Sequence, residues 1–82
     1  MKYPETECRS RGLLTPQQIK QLRQELKFSR EAFAELTGFG TASIKRWENA
    51  SLVQNQSADC FLRLLKLPGV IERLTRLRNN RR

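Results

Sequence analysis

Residues 38–50 read GFGTASIKRWENA. Two glycines lie within three positions, and a helix-compatible run follows in which Arg46, Trp47 and Glu48 set a cation, an aromatic ring and an acid side by side. Gly38 and Gly40 permit backbone angles that other residues resist, so this is where one helix ends, the chain turns and another begins at Thr41. Stepping about 100° per residue along the new helix, Thr41, Ala42, Lys45, Arg46 and Asn49 share one arc, and Ile44 and Trp47 lie opposite with Ser43 and Glu48 at their edges. One face is apolar. The other carries hydrogen-bonding and cationic groups and no acid.

Working toward the N-terminus, Ser29 reads as an N-cap with Glu31 in the first turn, where the helix dipole favours an acid. A short helix of about seven residues follows, its apolar face made by Phe33 and Leu36. Ala32 and Ala34 are either small residues that let the next helix pack closely or simply good helix formers. Further upstream, Thr15-Pro16 reads as an N-cap and first helical residue. The helix over about 16–27 has Ile19, Leu22 and Leu26 on one face and Arg23 on its flank. Arg23 and Glu48 are each a charge set beside apolar residues. Because a part-buried charge is costly without a partner, they are predicted to pair with each other.

Downstream, SLVQNQS is a polar connection with Ser57 as a further N-cap, and a helix is expected from Ala58 to about Leu67 with Phe61, Leu64 and Leu65 inward. Pro68-Gly69 interrupts the chain. A last helix, about 69–78, shows Val70, Ile71, Leu74 and Leu77 on one stripe. That stripe either completes the core or meets a second copy of the chain, and the second reading is favoured. The expectation is an all-α, compact five-helix bundle. Its organisation is an N-terminal extension over 1–12, a core domain over 13–67, and a C-terminal helix with a basic tail over 68–82.

Composition narrows the function. The 82 residues carry sixteen Lys and Arg against eight Asp and Glu, a net charge of +8, which suits an anionic partner. The excess is concentrated after residue 50, where Arg73–Arg82 contains no acid. This tail is either a phosphate-contacting segment or a solvated terminus. No apolar run approaches a membrane span and MKYPETECRS lacks the apolar stretch of a signal peptide, so no membrane association and a cytoplasmic location are expected. The chain has no histidine and two distant cysteines. Zinc clusters of Cys and His, CxxC redox pairs and the usual general base are therefore excluded, and neither GxGxxG nor a P-loop occurs. No enzyme, metal or cofactor is expected. Cys60, within ADCFLRLLKL, reads as a small buried hydrophobe. Cys8 has no assigned role.

The segment LTPQQIKQLRQELKFSREAFAELTGFGTASIKRWENA closely resembles the five-helix, lambda-repressor-like DNA-binding domain of phage repressor, Cro and XRE-type regulators. The resemblance covers roughly 13–67 and rests on Ser29, Ala34, Gly38, Ile44 and the Trp47-Glu48 pair at the family's spacing. The flanking RGLLTPQQIK and RWENASLVQNQSADCFLRLL resemble the C-terminal domain of MqsA-type antitoxins. That domain is a homodimer binding a palindromic operator, as a repressor of its own toxin–antitoxin operon. Those proteins also carry an N-terminal zinc domain with paired CxxC motifs, absent from this sequence. This is then either an excised domain or a protein acting without that half, and a toxin partner is not supported by this chain. The resemblance implies that the second helix of the motif enters the major groove of double-stranded DNA, with Thr41, Ala42, Lys45 and Arg46 at base edges. Arg46 would make a bidentate contact to guanine. Arg30, Asn49 and Gln56 fall at phosphate-contact positions. The competing expectation is a helical module that binds protein or RNA, its basic surface serving solubility. Against it, the outward face of the helix at Thr41 lacks large apolar anchors and exposed aromatics.

Overall fold

A computed structural model describes residues 8–80. Within them lie five α-helices of eight residues or more: α1 (Pro16–Glu25), α2 (Arg30–Thr37), α3 (Thr41–Glu48), α4 (Gln56–Leu64) and α5 (Val70–Asn79). Residues 8–10 are also helical, and no described residue is in a strand. The fold is all-α, as expected.

Local chemistry sets the helix ends. At the start of α1 the Gln18 N–H donates to Thr15 Oγ1 at 3.2 Å while the Thr15 N–H donates to Gln18 Oε1 at 2.9 Å, a capping box followed by Pro16. The helix stops at Glu25, short of residue 27, because Lys27 takes the left-handed conformation (φ 64°). The Phe28 N–H then reaches Arg23 O at 3.2 Å and the Lys27 N–H reaches Gln24 O at 3.0 Å, the two reversed bonds of a Schellman closure. α3 ends the same way: Ala50 has φ 66°, the Ser51 N–H bonds Arg46 O at 2.8 Å and the Ala50 N–H bonds Trp47 O at 3.4 Å. Gly38 closes α2 at φ 85°.

The α4 boundaries differ from the expectation. Asn55, not Ser57, is the N-cap, its Oδ1 accepting the Ala58 N–H at 2.7 Å. α4 therefore begins two residues early and ends at Leu64, before Pro68. Its buried line is Ala58, Leu62 and Leu65, so Leu64 is exposed rather than inward, and Phe61 is half-buried. The run FLRLL supports either stripe. The tertiary partners of Leu62 and Leu65 decide between them.

The core joins Leu14, Ile19, Leu22, Phe33, Ala34, Ile44, Trp47, Ala58, Leu62 and Leu65. α3 packs against both α1 and α2. Phe39, in the turn before α3, stands edge-on to Trp47 at 5.0 Å between centroids and to Phe61 at 5.6 Å, contacts worth about 0.5–1.5 kcal/mol each beyond their buried area. The α5 stripe is largely used within the chain: Val70, Ile71 and Leu74 pack against the core, and Leu77 is exposed. The stripe thus adds to the core, and the surface left on Val70, Ile71, Leu74 and Leu77 is open to solvent in the single chain. Cys60 is exposed, against the expectation of a buried hydrophobe, and Cys8, for which no role was assigned, is buried. Cys60 lies about 200° around α4 from both Ala58 and Leu62, so it faces out once that line is the buried one.

A second anchor ties the chain before α1 to α4. Asp59 Oδ1 accepts the Leu14 N–H at 2.7 Å and Gln54 Nε2 at 3.0 Å, and Asp59 Oδ2 accepts Arg63 Nε at 2.8 Å. Gln54 Nε2 also donates to Leu14 O at 2.9 Å, and Arg63 NH2 to Gly12 O at 2.7 Å. Burial pushes the Asp59 carboxyl up, but the Leu14 N–H, Arg63 and Gln54 outweigh it and hold its pKa below the ordinary value.

Candidate nucleic-acid interface

Ile44 and Trp47 are buried and fix the rotation of α3 about its own axis. Thr41, Ala42, Lys45, Arg46 and Asn49 are in consequence all exposed on the opposite side. Lys45 and Arg46 have no acid within ion-pair distance among the described residues. Both lie in the last turn of α3, where the helix dipole favours a cation. The exposed side thus offers a hydroxyl, a methyl, two cations and an amide along a rod about 12 Å long. Such a rod has the dimensions and polarity of a major-groove reader.

Glu48 locks this rod to the bundle. Arg23 donates Nε to Glu48 Oε2 at 2.7 Å and NH2 to Oε1 at 3.0 Å, and its NH1 donates to Phe28 O at 2.9 Å. Arg30, the first residue of α2, donates Nε to the same Oε1 at 3.1 Å. The Glu48 side chain is 1% exposed and that of Arg23 11%, whereas that of Arg30 is 38% exposed. Burial acts to raise the Glu48 pKa, and the hydrogen bonds and charges of Arg23 and Arg30 overcome it, leaving the pKa below the ordinary carboxylate value. The Arg23 pKa is raised, first by the hydrogen bond to Glu48 and against its own desolvation.

The other two phosphate-position residues are exposed. Asn49 caps α3 at its C-terminus, and its Oδ1 accepts the Ser51 N–H at 3.1 Å, which leaves its NH2 group as the outward donor. Gln56 is the first residue of α4 rather than part of the preceding loop. Of the basic tail, Arg73, Arg76 and Arg78 are exposed on α5, and Arg81 and Arg82 lie outside the described residues.

Sequence reasoning missed the Arg30–Glu48 contact and the Asp59–Gln54–Leu14 network. The second left a signal. Asp59 sits beside Ala58 in an apolar run, as Glu48 sits beside Trp47, with a cation four residues on in Arg63. Gln54 left none, since it lies in an aperiodic polar connection.

A short polar-and-cationic helix, held by its apolar side after a glycine turn and preceded by a capped helix at its back, is the arrangement of a helix-turn-helix DNA-binding domain. The chain matches the helix-turn-helix family over residues 19–70, more than half of its length, and belongs to that family in its XRE/Cro form, a non-enzymatic class of DNA-binding transcriptional regulators. No curated protein matches the sequence. Among the described residues no helix is long and apolar enough to cross a membrane, and no group of three or more His, Cys, Asp and Glu could hold a metal ion.

Proposed function

We propose that the protein is a sequence-specific double-stranded DNA-binding repressor that reads a palindromic operator as a homodimer, with α3 in the major groove. The observation that carries this reading is the pairing of the two sides of α3: Ile44 and Trp47 buried, Lys45 and Arg46 exposed and without acidic partners among the described residues. In it Thr41, Ala42, Lys45 and Arg46 meet base edges, Arg46 as a fork to guanine O6 and N7 and Ala42 through its methyl. Arg30, Asn49 and Gln56 meet phosphates and set register.

A single eight-residue reading helix spans only a few base pairs, so a second copy supplies the rest of the specificity. Val70, Ile71 and Leu74 keep part of their surface exposed and Leu77 most of it, and this strip on α5 is the proposed dimer contact. The antitoxin role rests on the resemblance of the flanking sequence alone. Co-purification with a toxin encoded beside the protein would test it.

The central experiment is selection of bound sequences from a random duplex pool, followed by mobility shifts on the selected site and on bulk DNA at two salt concentrations. A palindromic consensus with half-sites about one helical turn apart supports the proposal. Equal affinity for every duplex rejects it.

A further inference from the structure

We propose that Glu48 is a positioning residue for the DNA backbone: by holding Arg30 through Nε, it aims the two terminal NH2 groups of that guanidinium at a phosphate. The proposal rests on the DNA-binding reading above and adds a role for the acid of the Trp47-Glu48 pair.

Three facts lead to it. One buried carboxylate meets two guanidiniums, so the three ion-paired groups carry a net positive charge, with Glu31 acting through its charge on Arg23. Arg23 is committed inward, with Nε and NH2 on Glu48 and NH1 on Phe28 O. Arg30 uses Nε alone: its NH1 and NH2 have no partner among the described residues, and its side chain is 38% exposed. The surplus charge of the cluster therefore lies on Arg30 at the surface.

The planar guanidinium makes the two tasks compatible. Its five N–H donors lie on separate edges. With Nε turned to Glu48, the end-on edge made by the two NH2 groups is open, the edge that forms parallel bonds to phosphate oxygens. Carboxylate and phosphate can then hold the same cation without meeting. A lysine ammonium carries its charge on one nitrogen. At this position its three N–H donors could serve both anions only by drawing carboxylate and phosphate oxygens onto the same nitrogen, without the parallel pair of bonds to phosphate that the guanidinium makes. Anchoring also removes part of the ordering cost that a free arginine would bear on binding.

The test measures affinity for the selected operator at several salt concentrations for wild type, Arg30→Ala, Arg30→Lys, Glu48→Gln and the Arg30→Ala/Glu48→Gln double variant. Each variant is checked for a folded far-ultraviolet spectrum at the assay temperature. Arg30→Ala is expected to weaken binding about tenfold and to reduce the salt slope by about 0.9, the loss of one phosphate contact. Arg30→Lys is expected to weaken binding nearly as much while keeping the slope. Glu48→Gln should weaken binding too, with little further loss in the double variant. Arg30→Lys at wild-type affinity overturns the proposal, as do Glu48→Gln and Arg30→Ala losses that simply multiply. If Glu48→Gln does not fold, Arg30→Lys decides the matter alone, because it leaves the Arg23–Glu48 pair intact. A wild type that binds no duplex overturns the DNA-binding reading and this proposal with it, whereas wild-type binding with unimpaired Arg30→Lys overturns only the latter.

Discussion

Arg23 and Glu48 face each other through two N–H···O bonds, Nε to Oε2 at 2.7 Å and NH2 to Oε1 at 3.0 Å, across 25 residues of sequence. The bond joins the last turn of α1 to the last residue of α3, so the helix that carries the exposed cations is fixed to the bundle at its C-terminal end as well as along its apolar side.

Removing Glu48 leaves the Arg23 guanidinium with only Phe28 O, whereas removing Arg23 leaves Glu48 with Arg30 as its one remaining cation. Glu48→Ala is expected to lower unfolding free energy by about 3–5 kcal/mol, and Arg23→Ala by less. In a double-mutant cycle by urea unfolding, the combined variant should lose less than the sum of the single losses, since the remaining charge is then also gone. Additive losses would mean that the two groups do not cooperate.

Acid should weaken the fold through Glu48 and Asp59. Both carboxyls have pKa values below the ordinary range in the folded state. The unfolded chain thus binds more protons as pH drops through about 4, and unfolding free energy falls with pH there. The stabilisation is fully present above the unfolded-state pKa and is lost as pH passes down through the folded-state values. Asp59→Asn should be less stable at pH 7 yet show a flatter stability profile between pH 5 and 2. An unchanged slope in that variant would rule out Asp59 as a source of the acid sensitivity.

Lys27 and Ala50 close α1 and α3 in a backbone conformation that favours glycine. Lys27→Gly and Ala50→Gly relieve the side-chain clash, partly offset by the extra freedom of glycine when unfolded, and should each raise stability by up to about 1 kcal/mol. Gly38→Ala should have the opposite sign and a similar size. No atom lies within 4 Å of a Cβ added there, so its cost would come from φ alone. Thermal melts of the three variants check both signs.

For DNA, Arg46→Ala should cost about 1–3 kcal/mol and relax preference at one operator position. Arg76→Ala on α5 should leave preference unchanged, and any loss should fall equally on all sequences with a shallower salt slope. Competition assays against single-base operator variants separate the two patterns. A uniform loss from Arg46→Ala would exclude base reading by that residue.

The parts of this molecule readable from sequence are those governed by local rules. Thr15-Pro16, Ser29 and the Gly38–Gly40 turn placed three helix starts, because caps and glycine turns depend on a few neighbouring atoms. The faces of α3 followed from periodicity, as Ile44 and Trp47 are its only large apolar residues. Periodicity failed in α4, where an excess of leucines allowed two stripes and the Asn55 cap shifted the start. Cys60 and Leu64 were misplaced for the same reason. What stayed hidden was set by tertiary approach: Arg30 reaching Glu48 across 18 residues, and Asp59 reaching Leu14 across 45.

Trp47 is the chain's one tryptophan, enclosed by Phe39 on the underside of α3. Its emission is therefore an intrinsic optical probe seated directly beneath the surface proposed to meet DNA. Titrating duplex into the unlabelled protein while following wavelength and quenching would report whether that helix stays seated or rocks on its aromatic bed as the groove closes around it.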